Sequence, residues 1–295
     1  MTEWKRIVLL GASGQLGTDL RRVLGADGAL ELVPVVRTQL DVSDIGRIVP
    51  FLQSLLPFDV LINCTSYHKT DECEDQAEKA FAINALAPRE MARFCADAGV
   101  RLVHFTTDYV FAGDTGQACG EDDPTWPLNV YGVSKSAGEQ LIRAYAGERY
   151  WIIRVSSLFG EAGASGKGGN FVETMIRLAR AGGPITVVDD QIMSPTHTLD
   201  IAKAVRAMLR REEEPPCGIY HCSGEGACSW YSFAREIFAQ LQLDVRLSPV
   251  SSGSYATKAK RPAYSVLQPG KLRSFYPMPR WQDALAEYLQ IKHPR

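Results

Sequence analysis

The chain has 295 residues, of which 45% are hydrophobic and 22% are charged, which allows one large domain or a core domain with a smaller lobe. Its formal net charge of −2 and pI near 6.2 give no general attraction to nucleic acid or to an anionic membrane, so neither is expected as a partner. The N-terminal apolar run is too short for a signal peptide, and no run of about 18 apolar residues follows it, so we expect a cytoplasmic protein.

Short apolar runs alternate with helical patterns through the first half of the chain. This alternation predicts crossover units and a parallel sheet, with strands at 6–10, 32–36, 59–63, 100–105 and 151–155. A helical pattern covers 77–98 and contains Pro88, which predicts a kink or a break there. The expected fold class is α/β, a Rossmann-like doubly wound parallel sheet over roughly residues 1–155.

The second half is less regular, and its pattern predicts a small C-terminal substrate-binding lobe. A glycine-rich loop after residue 155 leads into a helix near Phe171–Ala181. A last sheet strand at Ile185–Val188 and a helix at 200–209 are expected to return to the core domain. The predicted division is therefore 1–155 with 185–212 for the nucleotide-binding domain, and 156–184 with 213–295 for the lobe.

Seven cysteines are scattered along the chain without paired spacing, which favours free thiols. Cys217, His221, Cys222 and Cys228 lie close together in sequence but contain no tight C-x2-C pair. We therefore expect neither a zinc site there nor a metal elsewhere.

A glycine-rich turn, G-A-S-G-Q-L-G, directly follows the first predicted strand. Gly11 suits a tight turn, Gly14 the close approach of a pyrophosphate, and Gly17 the packing of a helix on the sheet. Backbone N–H groups and the positive end of the next helix would bind phosphate without any net basic charge.

The end of the second predicted strand bears on the choice of cofactor. Instead of a carboxylate for the ribose 2′-hydroxyl of NAD, the sequence has Arg37, which suits the 2′-phosphate of NADP. Asp41 and Val42 are placed to edge an adenine pocket. NADPH is therefore the expected cofactor, with NADH as the alternative.

A tyrosine and a lysine four residues apart, Tyr131 and Lys135, follow a turn-rich stretch and would share one helix face. A nearby ammonium stabilises a tyrosinate and lowers the pKa of a phenol, so this pair suits proton donation to a developing alkoxide. Lys135 could also bond the nicotinamide ribose. Thr107, at the end of the fourth predicted strand, is the expected partner that positions the substrate oxygen, with Thr106 as the close alternative.

The spacing G-x-x-G-x-x-G together with Y-x-x-x-K resembles the short-chain dehydrogenase/reductase superfamily. Beyond that, the chain resembles the dTDP-4-dehydrorhamnose reductase family over residues 5 to about 285. The matching stretches, in order, are G-A-S-G-Q-L-G at 11, T-T-D-Y-V-F-A-G at 106, E-D-D-P-T-W-P-L-N-V-Y-G-V-S-K-S-A-G-E at 121, G-N-F-V at 169, D-D-Q-I-M-S-P-T at 189, W-Y-S-F-A at 230 and K-R-P-A-Y-S at 260.

The resemblance implies reduction of the 4-keto group of a dTDP-6-deoxy-L-hexulose with NADPH or NADH, and is compatible with a homodimer. It gives the catalytic roles to Thr107, Tyr131 and Lys135. With the residues named above, the expected cofactor contacts are Gly11, Ser13, Gly14, Gln15, Leu16, Gly17, Arg37, Asp41, Val42, Thr65, Ser66, Tyr67, Tyr131 and Lys135. The expected contacts of the nucleotide sugar are Thr107, Asp108, Tyr109, Val110, Asn170 and Arg261, with Arg261 pairing with pyrophosphate.

Two departures from the family pattern concern the pocket. Ser157 stands where the family usually has a tryptophan near the sugar, and N-C-T-S-Y-H-K-T-D at 63–71 is bulkier and more polar than the family's stretch. Both changes leave the Tyr-Lys pair intact, so the sugar could differ from the rhamnose precursor.

Two other functions remain open at this point. A dehydratase of the superfamily would need a glutamate after Asp108, where this chain has Tyr109, whereas an epimerase could use the same Tyr-Lys pair. The regulatory β subunit of methionine adenosyltransferase resembles the same family and binds cofactor while serving a partner enzyme.

Overall fold

The computed structural model describes residues 5–163 and 169–294, and its N-terminal half alternates strands and helices. In chain order the elements are β1 (Lys5–Leu10), α1 (Gln15–Gly25), β2 (Leu30–Val35), α2 (Ile45–Gln53), β3 (Val60–Asn63), α3 (Thr70–Asp75), α4 (Ala77–Phe81), α5 (Ala87–Ala98), β4 (Arg101–Thr107), α6 (Val130–Tyr145) and β5 (Tyr150–Val155). The five predicted strands are thereby confirmed, with ends that differ by at most two residues.

Shorter elements follow in the second half. They are β6 (Leu158–Phe159), α7 (Phe171–Ala181), β7 (Ile185–Val188), β8 (Ile192–Met193), β9 (Thr196–His197), α8 (Thr198–Leu209), β10 (Gly218–His221), β11 (Cys228–Ser229), α9 (Trp230–Leu241), β12 (Leu247–Val250) and α10 (Trp281–Lys292). Residues 164–168, in the predicted glycine-rich loop, lie outside the described residues.

Six strands form the central sheet in the order β2-β1-β3-β4-β5-β10, and every neighbouring pair is parallel. One face is covered by α1 and α8, where Leu20 and Leu24 share a core with Ile201 and Val205. The other face packs against α2, α5 and α6. The predicted Rossmann-like fold is confirmed, and the order reverses between β1 and β3, where ligands collect in such sheets.

The prediction that Ile185–Val188 joins the central sheet is wrong. This strand, β7, pairs instead with β12 in a separate two-stranded sheet. The edge beside β5 is taken by β10, whose Tyr220 and His221 are buried. The sequence pattern hid β10 because this four-residue strand begins at Gly218, the last residue of the loop-like P-P-C-G stretch. Helix α8 does return to the core as predicted, while the domain boundaries stay a prediction.

The cysteines of the chain are free thiols, as expected. His221, which the sequence places next to Cys222, lies edge-on against Phe111, with ring centroids 5.9 Å apart. Its Nδ1 lies 3.2 Å from the carbonyl oxygen of Gln268, and burial lowers its pKa to about 3. These contacts make His221 a neutral core residue at the sheet edge.

The predicted break near Pro88 is confirmed and takes a specific form. A π-helical turn, Ala82–Leu86, separates α4 from α5, and Pro88 lies in the first turn of α5. A proline ring is incompatible with an ordinary i−4 hydrogen bond, which accounts for the break. The turn directs Asn84 inward, where its Nδ2 donates to the carbonyl oxygen of Tyr67 and to the Ser134 hydroxyl. The loop after β3 is thereby tied to α6.

The lobe has its own hydrophobic core, built from α7, α9, α10 and the short strands around them. Phe159, Phe233, Trp281 and Tyr288 are its large buried members. Within the described ranges, no helix is both long and apolar enough to cross a bilayer.

Candidate active site

A cavity of about 1000 Å³ opens at the carboxyl ends of the central strands and extends to the lobe. Most of the predicted site residues line it: Gly11, Ser13, Gly14, Gln15, Leu16, Arg37, Asp41, Val42, Thr65, Ser66, Tyr67, Thr107, Asp108, Tyr109, Tyr131, Lys135 and Asn170. Gly17, Val110 and Arg261 do not line it. Ligand sites in open parallel sheets lie at this end, at the switch point of the strand order.

The glycine loop is shaped by steric limits at Gly11 and Gly17. Gly11 has φ +78°, a conformation that favours glycine, and a Cβ there would lie 3.1 Å from the backbone of Cys64. A Cβ on Gly17 would lie 2.2 Å from the carbonyl oxygen of Gly11, so Gly17 packs α1 under the loop, as predicted. Helix α1 begins at Gln15 with no acidic residue in its first turn. Its positive end is therefore available to a phosphate.

Arg37 and Asp41 form an exposed ion pair at the end of the cavity next to β2. Nε and Nη2 of Arg37 lie 3.0 and 2.9 Å from Oδ2 of Asp41. Partial burial acts to raise the pKa of Asp41, but hydrogen bonds from Ser43 and Arg37 outweigh it and keep this pKa below its ordinary value. The Arg37 side chain is 75% exposed, so part of its guanidinium remains accessible to a ligand.

Local sequence explains why α6 presents Tyr131 and Lys135 to the cavity. The Asn129 side chain caps the helix by accepting a 2.8 Å hydrogen bond from the N–H of Gly132. A Cβ on Gly132 would lie 2.2 Å from the carbonyl oxygen of Tyr109, so glycine lets the first turn of the helix approach the end of β4. The ring of Tyr131 then meets that of Tyr109 edge-on, with centroids 6.0 Å apart.

Thr107, the last residue of β4, hydrogen-bonds to Tyr131 and to the residues that follow it. Its hydroxyl donates to Oδ1 of Asp108 at 3.0 Å and accepts from the N–H of Tyr109 at 3.2 Å. Asp108 is buried and also accepts hydrogen bonds from Ser156 and Ser265; burial nevertheless raises its pKa. The structure therefore orients the Thr107 hydroxyl beside the Tyr131 phenol. Thr106 lines the same cavity, but its buried hydroxyl has no hydrogen-bond partner among the residues that the structure describes.

Burial controls the pKa values of both members of the Tyr-Lys pair. It raises the pKa of Tyr131 to about 12, against a lowering effect of the Thr107 hydrogen bond. It lowers the pKa of Lys135 to about 8. The direction at Tyr131 is opposite to the lowering that the spacing predicts, because the phenol is enclosed and Nζ of Lys135 is directed to the carbonyl oxygen of Phe105, at 2.7 Å.

Three of the expected substrate contacts, Val110, Arg261 and Asn170, have partners within the protein. Val110 is fully buried in a small core with Phe111, so its side chain does not reach the cavity. Arg261 forms an ion pair with Asp71, whose Oδ2 lies 2.7 Å from Nη2. Asn170 lines the cavity but caps α7 and donates through Nδ2 to Gly160 and Tyr288.

An aromatic wall, which was not predicted from the sequence, lies on the lobe side of the cavity. Phe159, Phe171, Trp230 and Phe233 line this side, and the rings of Phe171 and Trp230 are 4.7 Å apart. The spacing of Trp230 and Phe233, one helical turn apart in W-Y-S-F-A, was the available signal. Ser157 also lines the cavity and has a left-handed backbone conformation, with φ +46°.

A cluster with metal-ligand residue types lies away from the cavity. His197, Asp200 and Glu287 place potential ligand atoms within 4.8 Å of one another. Nζ of Lys203 already lies 3.2 Å from Asp200 and 3.0 Å from Glu287. The lysine ammonium therefore supplies the positive charge between these two carboxylates.

A doubly wound sheet with a glycine loop at its switch point, and with threonine, tyrosine and lysine gathered at the end of β4, is the arrangement of a short-chain dehydrogenase/reductase. Comparison with known proteins narrows this class. Residues 5–293 match the family model described as RmlD substrate binding domain. The chain belongs to the dTDP-4-dehydrorhamnose reductase family and is an NAD(P)H-dependent oxidoreductase.

Individual relatives match over nearly their whole length. The chain is 38% identical to the spore coat polysaccharide biosynthesis protein SpsK of Bacillus subtilis, covering 97% of each. It is 35% identical to dTDP-4-dehydrorhamnose reductase of Streptomyces griseus, covering 96% of this chain and 92% of the relative. The crystal structure of dTDP-4-dehydrorhamnose reductase from Bacillus anthracis in complex with NADP superposes with a TM-score of 0.89 at 36% identity, covering 97% of this chain and 98% of that one.

Proposed function

We propose that the protein reduces the 4-keto group of a dTDP-linked 6-deoxy-L-hexulose with NADPH, yielding dTDP-L-rhamnose or a closely related nucleotide sugar. The observation that carries the proposal is the gathering of Thr107, Tyr131 and Lys135 in one cavity that also contains the glycine loop. The names of the relatives, which include several dTDP-4-dehydrorhamnose reductases, support the same reaction.

Each catalytic residue has a role that its contacts support. A bound nicotinamide supplies the hydride to the carbonyl carbon. Tyr131 keeps its proton up to high pH because burial raises its pKa, and a neutral phenol is the form that can protonate a developing alkoxide. Thr107, oriented by Asp108, positions the keto oxygen beside the phenol. Lys135, anchored on Phe105, holds the ribose and stabilises the tyrosinate formed by proton transfer.

The preference for NADPH rests on Arg37. Its guanidinium lies at the end of the cavity next to β2, where the ribose of the adenosine half would be bound. Its pairing with Asp41 leaves donors free for a 2′-phosphate, and the Bacillus anthracis relative was solved with NADP. The Asp41 carboxylate could instead accept a hydrogen bond from the ribose 2′-hydroxyl of NADH, so NADH is the weaker alternative.

The sugar half of the ligand would occupy the lobe side of the cavity. Tyr109 and the aromatic wall line this space. Arg261 does not line the cavity but lies beside Tyr109, and its guanidinium charge makes it the proposed partner of the pyrophosphate. Ser157 leaves room where a tryptophan is usual in the family. The proposed substrate class is therefore a 4-keto-6-deoxy sugar nucleotide, and the assay below identifies the particular sugar.

The direct test is an NADPH-oxidation assay with a panel of dTDP-linked and UDP-linked 4-keto sugars. Turnover with a dTDP-linked 4-keto-6-deoxy sugar supports the proposal. Tight NADPH binding with no turnover of any member of the panel contradicts it and favours a regulatory role.

A further inference from the structure

Two buried polar residues, His104 and Asn63, lie directly behind Lys135 and were not expected to belong to the site. They are register partners on the adjacent parallel strands β4 and β3, and both are 0% exposed. Nδ2 of Asn63 lies 3.0 Å from Nδ1 of His104, and Nε2 of His104 lies 3.3 Å from Nζ of Lys135. The three side chains form one line of contacts that ends at the catalytic lysine.

The orientation of the Asn63 amide follows from its other neighbour. Its Oδ1 lies 3.0 Å from the backbone nitrogen of Thr65 and 2.6 Å from the Thr65 hydroxyl. A backbone N–H can only donate, so the amide oxygen must face Thr65. The NH2 group of Asn63 must therefore face His104.

This orientation determines the tautomer of His104. Nδ1 accepts a hydrogen from Asn63, so it carries no proton, and the neutral ring carries its proton on Nε2. A doubly protonated ring would place an N–H against the NH2 group of Asn63. Complete burial and the neighbouring lysine also keep the pKa of His104 well below its ordinary value.

The Nε2–H group then points at Lys135. An ammonium has three donors and no lone pair, so it cannot accept this hydrogen, whereas a neutral amine can. Nζ also donates to the carbonyl oxygen of Phe105, which both forms allow. The amine form therefore satisfies every contact behind the lysine, and the ammonium form loses the contact with His104.

The other groups near Lys135 act in both directions. The Glu139 carboxylate favours the ammonium, but it is shared with Arg154, whose Nη2 lies 2.7 Å away. Cys64 is a buried thiol whose own pKa is raised, so it is uncharged at neutral pH. Tyr131 precedes Lys135 by one turn and is also neutral.

We propose that His104 is a positioning residue which, oriented by Asn63, presents an N–H to Lys135 and thereby sets the pH at which this lysine changes between amine and ammonium. The kinetic consequence rests on the proposed function, because it assumes that Lys135 acts with Tyr131. The tautomer itself does not depend on that function.

The first experiment therefore needs no substrate. Nitrogen-15 NMR of the full chain labelled at histidine distinguishes a protonated from an unprotonated ring nitrogen, and the His104 signals are those lost in His104→Gln. The expected result is a neutral ring with a bare Nδ1 and a protonated Nε2 near pH 7. A ring protonated on Nδ1, alone or together with Nε2, overturns the proposal.

The second experiment measures the effect on Lys135. In Asn63→Asp a carboxylate can accept a hydrogen from Nδ1–H, which leaves Nε2 free to accept from the ammonium. The alkaline limb of the kcat profile should then move upward by about one pH unit or more. The same substitution in a His104→Leu background controls for the added charge, because that background has no imidazole in contact with Lys135.

A shift in Asn63→Asp that is much smaller in the double variant supports the role of His104. Equal shifts in the two backgrounds would show that the added charge acts on Lys135 through space, which overturns the role of His104. The absence of any shift in a folded Asn63→Asp variant overturns it as well. If the buried carboxylate prevents folding, the NMR experiment on the unaltered chain still decides the tautomer. If no sugar is turned over, the proposed function fails while the NMR result stands on its own.

Discussion

Lys135 places its side-chain nitrogen 2.7 Å from the backbone carbonyl oxygen of Phe105, inside the span of strand β4. This contact anchors helix α6, which carries Tyr131, to the strand that carries Thr107. The same contact keeps the Lys135 side chain in the interior, where the residue is only 1% exposed. This burial lowers the pKa of Lys135 to about 8. The position and the acidity of Lys135 therefore have the same structural cause.

The pH dependence of turnover follows from this acidity. In the proposed mechanism the ammonium form of Lys135 stabilises the tyrosinate, so kcat should fall as the pH rises through about 8 and Lys135 loses its proton. NADPH oxidation at saturating substrate, followed from about pH 6 to about pH 10, measures this limb. A rate that stays constant across that range would exclude the lysine charge as a requirement.

Arg37 should discriminate between the two nicotinamide cofactors. Arg37→Ala removes the charged donors proposed for the 2′-phosphate, so NADPH affinity should fall by about tenfold or more while NADH affinity changes little. Arg47→Ala, which removes another exposed arginine from the next helix, is the matched control. Equal losses for NADPH and NADH in Arg37→Ala would remove this residue from the phosphate site.

Arg261 should affect substrate binding more than cofactor binding. Arg261→Gln removes the proposed partner of the pyrophosphate, so KM for the nucleotide sugar should rise by about tenfold, with NADPH affinity unchanged. The control is Lys258→Gln, because Lys258 forms a neighbouring ion pair with Asp75 that also joins the lobe to α3. Similar increases in KM for both variants would indicate that the ion pairs only hold the lobe in place.

The buried ion pair of Arg154 and Glu139 should matter for stability. Both side chains are 2% exposed, and Nη2 of Arg154 lies 2.7 Å from Glu139. Arg154→Met leaves a buried carboxylate without its partner and should lower the free energy of unfolding by about 3–5 kcal/mol, measured in urea. Lys271→Met, which removes the exposed pair with Asp122, should change it by less than about 1 kcal/mol. Comparable losses in the two variants would contradict this account.

The sequence predicted the fold well where local pattern and tertiary structure agree. The strands that end at Leu10, Asn63 and Thr107 each contain a short apolar run, I-V-L-L, V-L-I and L-V, that is buried in the sheet. The glycine loop follows the first of them, where Gly11 and Gly17 permit close packing. β7 was misplaced because a short apolar run carries no information about which sheet it joins. The partner of β7 is β12, about 60 residues further along the chain, so the pairing depends on tertiary contacts.

The site was predicted on the sheet side and largely missed on the lobe side. Tyr131 and Lys135 are recognisable because helical spacing brings them together. The ion pair that holds Arg261 and the contacts of His104 with Asn63 and Lys135 join residues distant in sequence, so no local pattern could indicate them. The aromatic wall had a partial local signal in the spacing of Trp230 and Phe233, but its contact with Phe171 joins distant parts of the chain. The pKa direction at Tyr131 depends on enclosure, which is likewise a property of the fold.

The most direct test of the central claim compares the unaltered protein with Tyr131→Phe in the oxidation of NADPH by a dTDP-linked 4-keto-6-deoxy-L-sugar. We predict turnover by the unaltered protein, and a loss of at least about a hundredfold in kcat for the variant, with unchanged NADPH affinity. A variant that keeps the kcat of the unaltered protein, or an unaltered protein that binds NADPH but does not reduce the sugar, would contradict the account.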